Sequence, residues 1–188
     1  MDELPLWYSR GYLPHLSCPN DLQTVTFHLA DALPVEIVLE YKQLGERFGE
    51  AARRKAIEAY LDKGYGQCWL RDERVAKIVE GALLHFDGKR YRILDWVIMP
   101  NHVHTLFEQW VQLKEIMHSW KSWTSHEIGK IIGVEGQLWQ EENFDRFIRN
   151  EEHYQNAVDY IHMNPVKAGL VEMAEEWRFG SAFRRIPS

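Results

Sequence analysis

The chain has 188 residues, 45% hydrophobic and 13% aromatic, a composition that excludes a disordered polymer and suits one folded domain with a substantial core. Its net charge is −6, with 13 basic and 16 acidic residues up to Glu108 and 9 and 12 beyond it, so neither half is a basic tail. That balance argues against sequence-independent binding to duplex nucleic acid, but leaves room for a local groove that takes a short single strand by stacking. Two cysteines, Cys18 and Cys68, are too few for a disulfide framework or a thiolate zinc site. With no signal-like N-terminus and no apolar run long enough to span a bilayer, the expected setting is cytoplasmic, without a membrane partner.

Residues 1–20 carry three prolines and Gly11, which predicts an irregular arm containing Arg10-Gly11-Tyr12-Leu13-Pro14-His15. Alternation over Thr24–Leu29 predicts the first strand, and Asp31–Pro34 a turn. Glu36–Leu61 reads as one helix with Arg53-Arg54-Lys55 on a solvated face, broken by Gly64-Tyr65-Gly66. Residues 71–86 form a second helix, with Val75, Ile78, Val79, Ala82 and Leu83 on one stripe. Asp87-Gly88 is a turn, and Tyr91–Ile98 a strand that pairs with the next as a hairpin. A helix over 110–132, a loop at Gly133–Gln137 and a last strand within Leu138–Phe144 follow. A helix over Glu151–Met163 should stop at Pro165, because proline disfavours helical geometry in the residue before it. A tail over 170–188, with Trp177 and Phe179, packs back. The order predicts a single α+β domain: an antiparallel, ferredoxin-like sheet with helices on one face.

Two constellations carry chemistry. In Met99-Pro100-Asn101-His102-Val103-His104, strand alternation sends both histidines to one face and Val103 to the other. Two imidazoles one strand-step apart can hold a divalent metal, although a polar strand face accounts for so short a pattern equally simply. In Asp159-Tyr160-Ile161-His162-Met163-Asn164-Pro165, Tyr160 and Asn164 stand four residues apart on one helical face. A phenol there could attack a phosphate polarised by a metal, with Asn164 as a neutral oxygen ligand suited to Mg²⁺ or Mn²⁺. Alternatively Tyr160 packs and Asn164 caps the helix. Tyr154, about 240° round the helix, cannot share that face.

Trp96 to His104 resembles the HUH motif of single-tyrosine transposases. Phe144 to Tyr154, followed by Tyr160-Ile161-His162-Met163-Asn164-Pro165-Val166-Lys167-Ala168-Gly169-Leu170, resembles the REP-associated tyrosine transposases within that group. Arg10–His15 and Trp177–Ser181 fit the same resemblance, which spans nearly the whole chain. It implies a ferredoxin-like fold with an added C-terminal catalytic helix (150–164), and cleavage and rejoining of single-stranded DNA at palindromic hairpins. It also implies a divalent metal, a 5′-phosphotyrosine intermediate, His102 and His104 as ligands and Tyr160 as nucleophile. Asn164 stands where related insertion-sequence enzymes have glutamine.

Candidate phosphate contacts are Asn101, Lys121, Arg146, Arg149 and Lys167, with Trp123 or Trp139 stacking on a base. His118, His126, His153 and His162 read as surface or packing residues. The competing functions are a hairpin-binding protein that does not cleave and a hydrolytic metalloenzyme. The partner expected is single-stranded or hairpin DNA, met by a monomer or a homodimer.

Overall fold

The computed structural model describes residues 6–9, 14–17, 21–133 and 136–184. Four antiparallel strands make the main sheet: β3 (Leu22–His28), β4 (Tyr91–Ile98), β5 (His102–Gln109) and β6 (Phe144–Phe147), in the order β4-β5-β3-β6. Helices α3 (Glu73–His85) and α4 (Leu113–Ile132) cover one face, and α5 (Glu151–Lys167) lies on the other. The predicted α+β layout is the one found.

The N-terminal arm is not irregular where it is described. β1 (Leu6–Ser9) and β2 (Pro14–Ser17) pair as a separate antiparallel ribbon. Residues 10–13 of the Arg10–His15 stretch, and Cys18, lie outside the described residues.

The long helix expected over Glu36–Leu61 is two, α1 (Val35–Phe48) and α2 (Glu50–Leu61). The break is Gly49, whose φ of 89° is a conformation only glycine adopts without strain. Gly45 then lets the two helices approach, since a Cβ there would stand 3.0 Å from Arg53 Cδ. Arg53, expected on a solvated face, is buried at this contact.

Strand register explains the division of the sheet. β3 pairs with β5 so that Thr26 faces His104 and His28 faces His102. Alternation sends Val25, Phe27, Leu29, Val103 and Phe107 the other way, into the core under α3 and α4. There Trp120 stacks on Phe27 at 6.0 Å, its indole N–H donates to the Tyr91 hydroxyl, and that hydroxyl donates to the Leu83 carbonyl. Trp139, a stacking candidate, is buried edge-on to Phe27 and donates to Thr124. It is core, as its size and apolar surroundings require.

The last strand begins at Phe144 rather than filling Leu138–Phe144. Leu138 and Trp139 reach the sheet only through a bridge from Trp139 to Leu29.

α5 starts where Asn150 accepts the His153 N–H, and it runs through Pro165 to Lys167. Pro165 removes one hydrogen bond to Ile161. However, Asn164 and Pro165 are both buried, and the Ala168 N–H still reaches the Asn164 carbonyl. Packing overrides the local preference.

Beyond α5, the Trp177 indole donates to the Ile98 carbonyl, and Ser181 donates to Asp95 Oδ1 at 2.9 Å. His162 reaches the same carboxylate oxygen at 2.7 Å, which clamps α5 to β4 beside the bulge at Ile93/Asp95. His162 is therefore a tie between two elements rather than a surface residue.

Candidate active site

The histidines sit under α5 and α2 and are fully buried. Asn101 fixes the state of His102. Its side-chain N–H donates to the Tyr65 carbonyl at 2.9 Å, so its oxygen must accept from His102 Nδ1 at 2.7 Å. The lone pair of His102 is then left on Nε2, which has no hydrogen-bond partner. His104 repeats the arrangement: Nδ1 meets the Thr26 hydroxyl at 2.7 Å, and Nε2 stands 3.4 Å from the Asn164 amide nitrogen. Partners on the far nitrogen that fix the inward one are the usual support of metal-ligating histidines.

Burial pushes His104 down to about 3. It pushes His102 well below the ordinary imidazole range, helped by His104 and His28. Both rings are neutral at physiological pH, as ligands must be.

The structure adds a residue that sequence reasoning missed. Asp62, at the end of α2, brings its carboxylate 3.6 Å from His102 Nε2. Ligand atoms of Asp62, His102 and His104 all lie within 4.8 Å of one another, a cluster that could hold a cation. Burial pushes the Asp62 carboxyl up to about 6, against the lowering influence of Asn164 and Lys167.

The Tyr160 ring stands edge-on to His104, centroids 5.1 Å apart, and Lys167 Nζ lies over the ring, 5.3 Å from its centroid. Its hydroxyl is buried without a partner, and so are Asn164 Oδ1 and Asp62 Oδ1. Burial first, then Glu58 and Asp62, push the phenol well above its ordinary range. Continuation of α5 past Pro165 is what puts Lys167 two turns beyond Tyr160 on the same face. Tyr154 packs instead against the small cluster of Val97, Met99, Leu106, Val158 and Ile161.

A cleft of about 240 Å³ opens from His104 and Tyr160 between β3, β6, α2 and α5, with Arg54, Glu58 and Arg146 along it. Arg54, Glu58 and Asp62 recur every four residues and so share one face of α2. That spacing was the available sequence signal for the missed residues.

Other expected contacts are not brought here. Asn101 is fully buried and spends its amide on Tyr65 and His102, so it supports a histidine and does not face a phosphate. Lys121 donates to the carbonyls of Gln140 and Glu141 at 2.9 Å, tying α4 to a loop. Arg149 is exposed just before α5, outside the cleft lining. Trp123 is 48% exposed, on the α4 side away from the histidines, as are His118 and His126. Conversely His28, unremarked in the sequence, is buried beside His102, stacked on Phe144 and bonded through Nδ1 to the Leu29 carbonyl.

A ferredoxin-like sheet with paired histidines and a tyrosine-bearing helix across one face defines the class. The family described as "Transposase IS200 like" matches residues 69–164, and the chain belongs to it. A REP-associated tyrosine transposase of Escherichia coli (strain K12) is 28% identical over 96 residues, 51% of this chain and 57% of that protein. A putative REP-associated tyrosine transposase of Haemophilus influenzae (strain ATCC 51907 / DSM 11121 / KW20 / Rd) is 36% identical over 52 residues, 28% of this chain and 30% of that one. The matched segments thus span little more than half of the first relative and under a third of the second. A solved REP-associated tyrosine transposase bound to a REP hairpin superposes with a TM-score of 0.58 at 20% identity, covering 95% of this chain and 84% of that chain. That likeness shows the fold. Among the described residues no helix is long and apolar enough to cross a membrane.

Proposed function

We propose that this protein cleaves and rejoins single-stranded DNA beside a hairpin, through a 5′-phosphotyrosine formed on Tyr160. The observation that carries this reading is the convergence of four buried, unpartnered polar atoms: Tyr160 Oη, Asn164 Oδ1, His102 Nε2 and Asp62 Oδ1. Buried polar atoms are seldom left unpaired without a ligand or a reaction to explain them. Three of the four, with His104 Nε2, form an N/O donor set that fits Mg²⁺ or Mn²⁺. Bound there, the cation would act as a Lewis acid on the scissile phosphate and offset the charge of Asp62.

The chain's own residues supply the rest. The Tyr160 oxygen forms a bond to phosphorus, and the bond from phosphorus to the 3′ oxygen of the preceding nucleotide breaks. The phenol proton passes to the carboxylate of Glu58, which lines the same cleft, and from there to the departing 3′ oxygen. Rejoining is the reverse, with a 3′ hydroxyl attacking the phosphotyrosine. Lys167 and Arg146 flank the phenol and suit the phosphates on either side. The 5.1 Å contact between the His104 and Tyr160 rings of one chain supports a nucleophile that serves its own chain's histidines. The relatives' names and the hairpin in the solved neighbour support hairpin DNA as the substrate.

The test is incubation with single-stranded hairpin DNA and Mn²⁺, read as a covalent protein–DNA band on a denaturing gel. Wild type and Tyr154→Phe should give the band. Tyr160→Phe should bind the hairpin equally well and give none. A band that persists in Tyr160→Phe and maps to Tyr154 overturns the assignment, and hairpin binding with no band from wild type favours a protein that binds without cleaving.

A further inference from the structure

The proposed chemistry uses the inner end of the cleft beside Tyr160, together with Glu58 and Arg146 along it. The remainder has a composition of its own. Ile148, Ala157 and Ile161 give it an apolar wall. Asn156 and His153 line it from the first turns of α5, and His153 Nδ1 is buried with no hydrogen-bond partner. Arg54 from α2 and Arg146 from β6 border it with positive charge.

A nucleotide matches these features part by part. A base has flat apolar faces and a polar edge of donors and acceptors, while its phosphate is anionic. Pockets that take an unstacked base hold its faces between apolar groups and bond its edge. Geometry also demands a neighbour, because a strand whose phosphate lies at Tyr160 must lay its next nucleotide along one side of that residue. On the other side stands Lys167, and α5 separates Lys167 from His153 by fourteen residues, about 21 Å of track.

We infer that this cleft is a specificity subsite for the single nucleotide adjoining the scissile phosphate, with Asn156 and His153 bonding the base edge and Arg54 and Arg146 its phosphate. The inference rests on the function proposed above. It gives the protein a direct means of choosing its cleavage site, separate from whatever recognises the hairpin. Asn156 is exposed on α5 and takes no part in the core, so replacing it leaves the fold intact.

The test uses the full chain with Mn²⁺ and a fluorescein-labelled DNA hairpin carrying single-stranded flanks of randomised sequence. The position of the covalent adduct maps the scissile phosphate. Binding is then measured at fixed salt with a single abasic residue moved along the flanks. One position beside the mapped phosphate should cost wild type about tenfold in affinity. Asn156→Ala should bind the intact strand about tenfold more weakly and lose its sensitivity to the abasic residue. Arg54→Ala and Arg146→Ala should weaken intact and abasic strands alike, each lowering the salt slope by about one. An adduct accompanied by a flat abasic scan, or by undiminished discrimination in Asn156→Ala, overturns the subsite and leaves the proposed function standing. No adduct from wild type on any strand overturns both.

Discussion

The two faces of the β3–β5 pair come from the same residues by alternation, yet they are finished differently. On the α3/α4 face the large polar side chains of Trp120, Tyr91 and Trp139 are all satisfied: Trp120 on Tyr91, Tyr91 on the Leu83 carbonyl, Trp139 on Thr124. On the α5 face Thr26 and His28 stand opposite His104 and His102, these two meet Tyr160, Asn164 and Asp62, and several of those groups end in unpaired atoms. Burying such groups unpaired costs stability, and a core gains nothing from it. On the function proposed above, the second face trades that stability for a set of donors that could hold a cation, an expense usual where function competes with stability.

Substitutions on the two faces should therefore fail in different ways. Phe27→Ala removes a fully buried ring and should cost about 3–5 kcal/mol in urea unfolding. His104→Ala on the partner strand should leave stability within about 1–2 kcal/mol but abolish the covalent adduct, together with any rise in melting temperature on adding Mn²⁺. Undiminished cleavage by His104→Ala would remove the metal assignment. A stability loss equal to that of Phe27→Ala would show that the two faces do not differ.

Much of this division was legible in the sequence, because alternation is local. Tyr91–Ile98, Pro100-Asn101 and His102–Gln109 carry strand period and turn chemistry on the surface of the text, and Tyr160 and Asn164 are related by one helical turn. What stayed hidden depended on packing. Asp62 lies forty positions from His102 and meets it only because Gly49 breaks the long helix so that α2 can dock over the sheet. Arg53, one of three consecutive basic residues in the sequence, is buried where α2 closes against Gly45 of α1. Pro165 carries a true stop signal, but its burial with Asn164 outweighs one missing hydrogen bond. Asn101 beside the histidines invited a phosphate, yet a buried amide between a carbonyl and an imidazole is committed before any ligand arrives.

Acid should sharpen the contrast next. His28, His102 and His104 have folded pKa values below the unfolded 6.5, with burial as the main cause and His28 at about 4. Below pH 6.5 the unfolded chain takes up these protons first, so stability falls as pH falls. Asp62 works the other way: raised to about 6, it is protonated in the folded chain before the unfolded one, and it offsets one of the three. Near pH 5 the difference is about two protons, a slope of roughly 2.7 kcal/mol per pH unit for metal-free protein. His28→Gln should reduce that slope by about 1.4 kcal/mol per pH unit. Urea midpoints across pH 4.5–7 read both, and an unchanged slope in the variant would show that His28 is not held neutral.

The smallest effect isolates Asp62, the ligand candidate that the linear sequence left far from the histidines. A carboxylate held at a pKa of about 6 rather than 3.8 is destabilising by about 3 kcal/mol at neutral pH, before any cation balances it. The side chain is 25% exposed, so water screens part of this, and a net gain of about 1–2 kcal/mol is expected when the charge is removed. Asp62→Asn does so at nearly constant shape, and its amide can donate to the unpaired His102 Nε2 at the 3.6 Å contact. The variant should therefore melt above wild type in chelator. With saturating Mn²⁺ the order should reverse, because wild type gains a ligand that the variant holds with one anionic donor fewer. If chelator and Mn²⁺ shift both proteins equally, Asp62 is a buried acid beside the site and not a ligand in it.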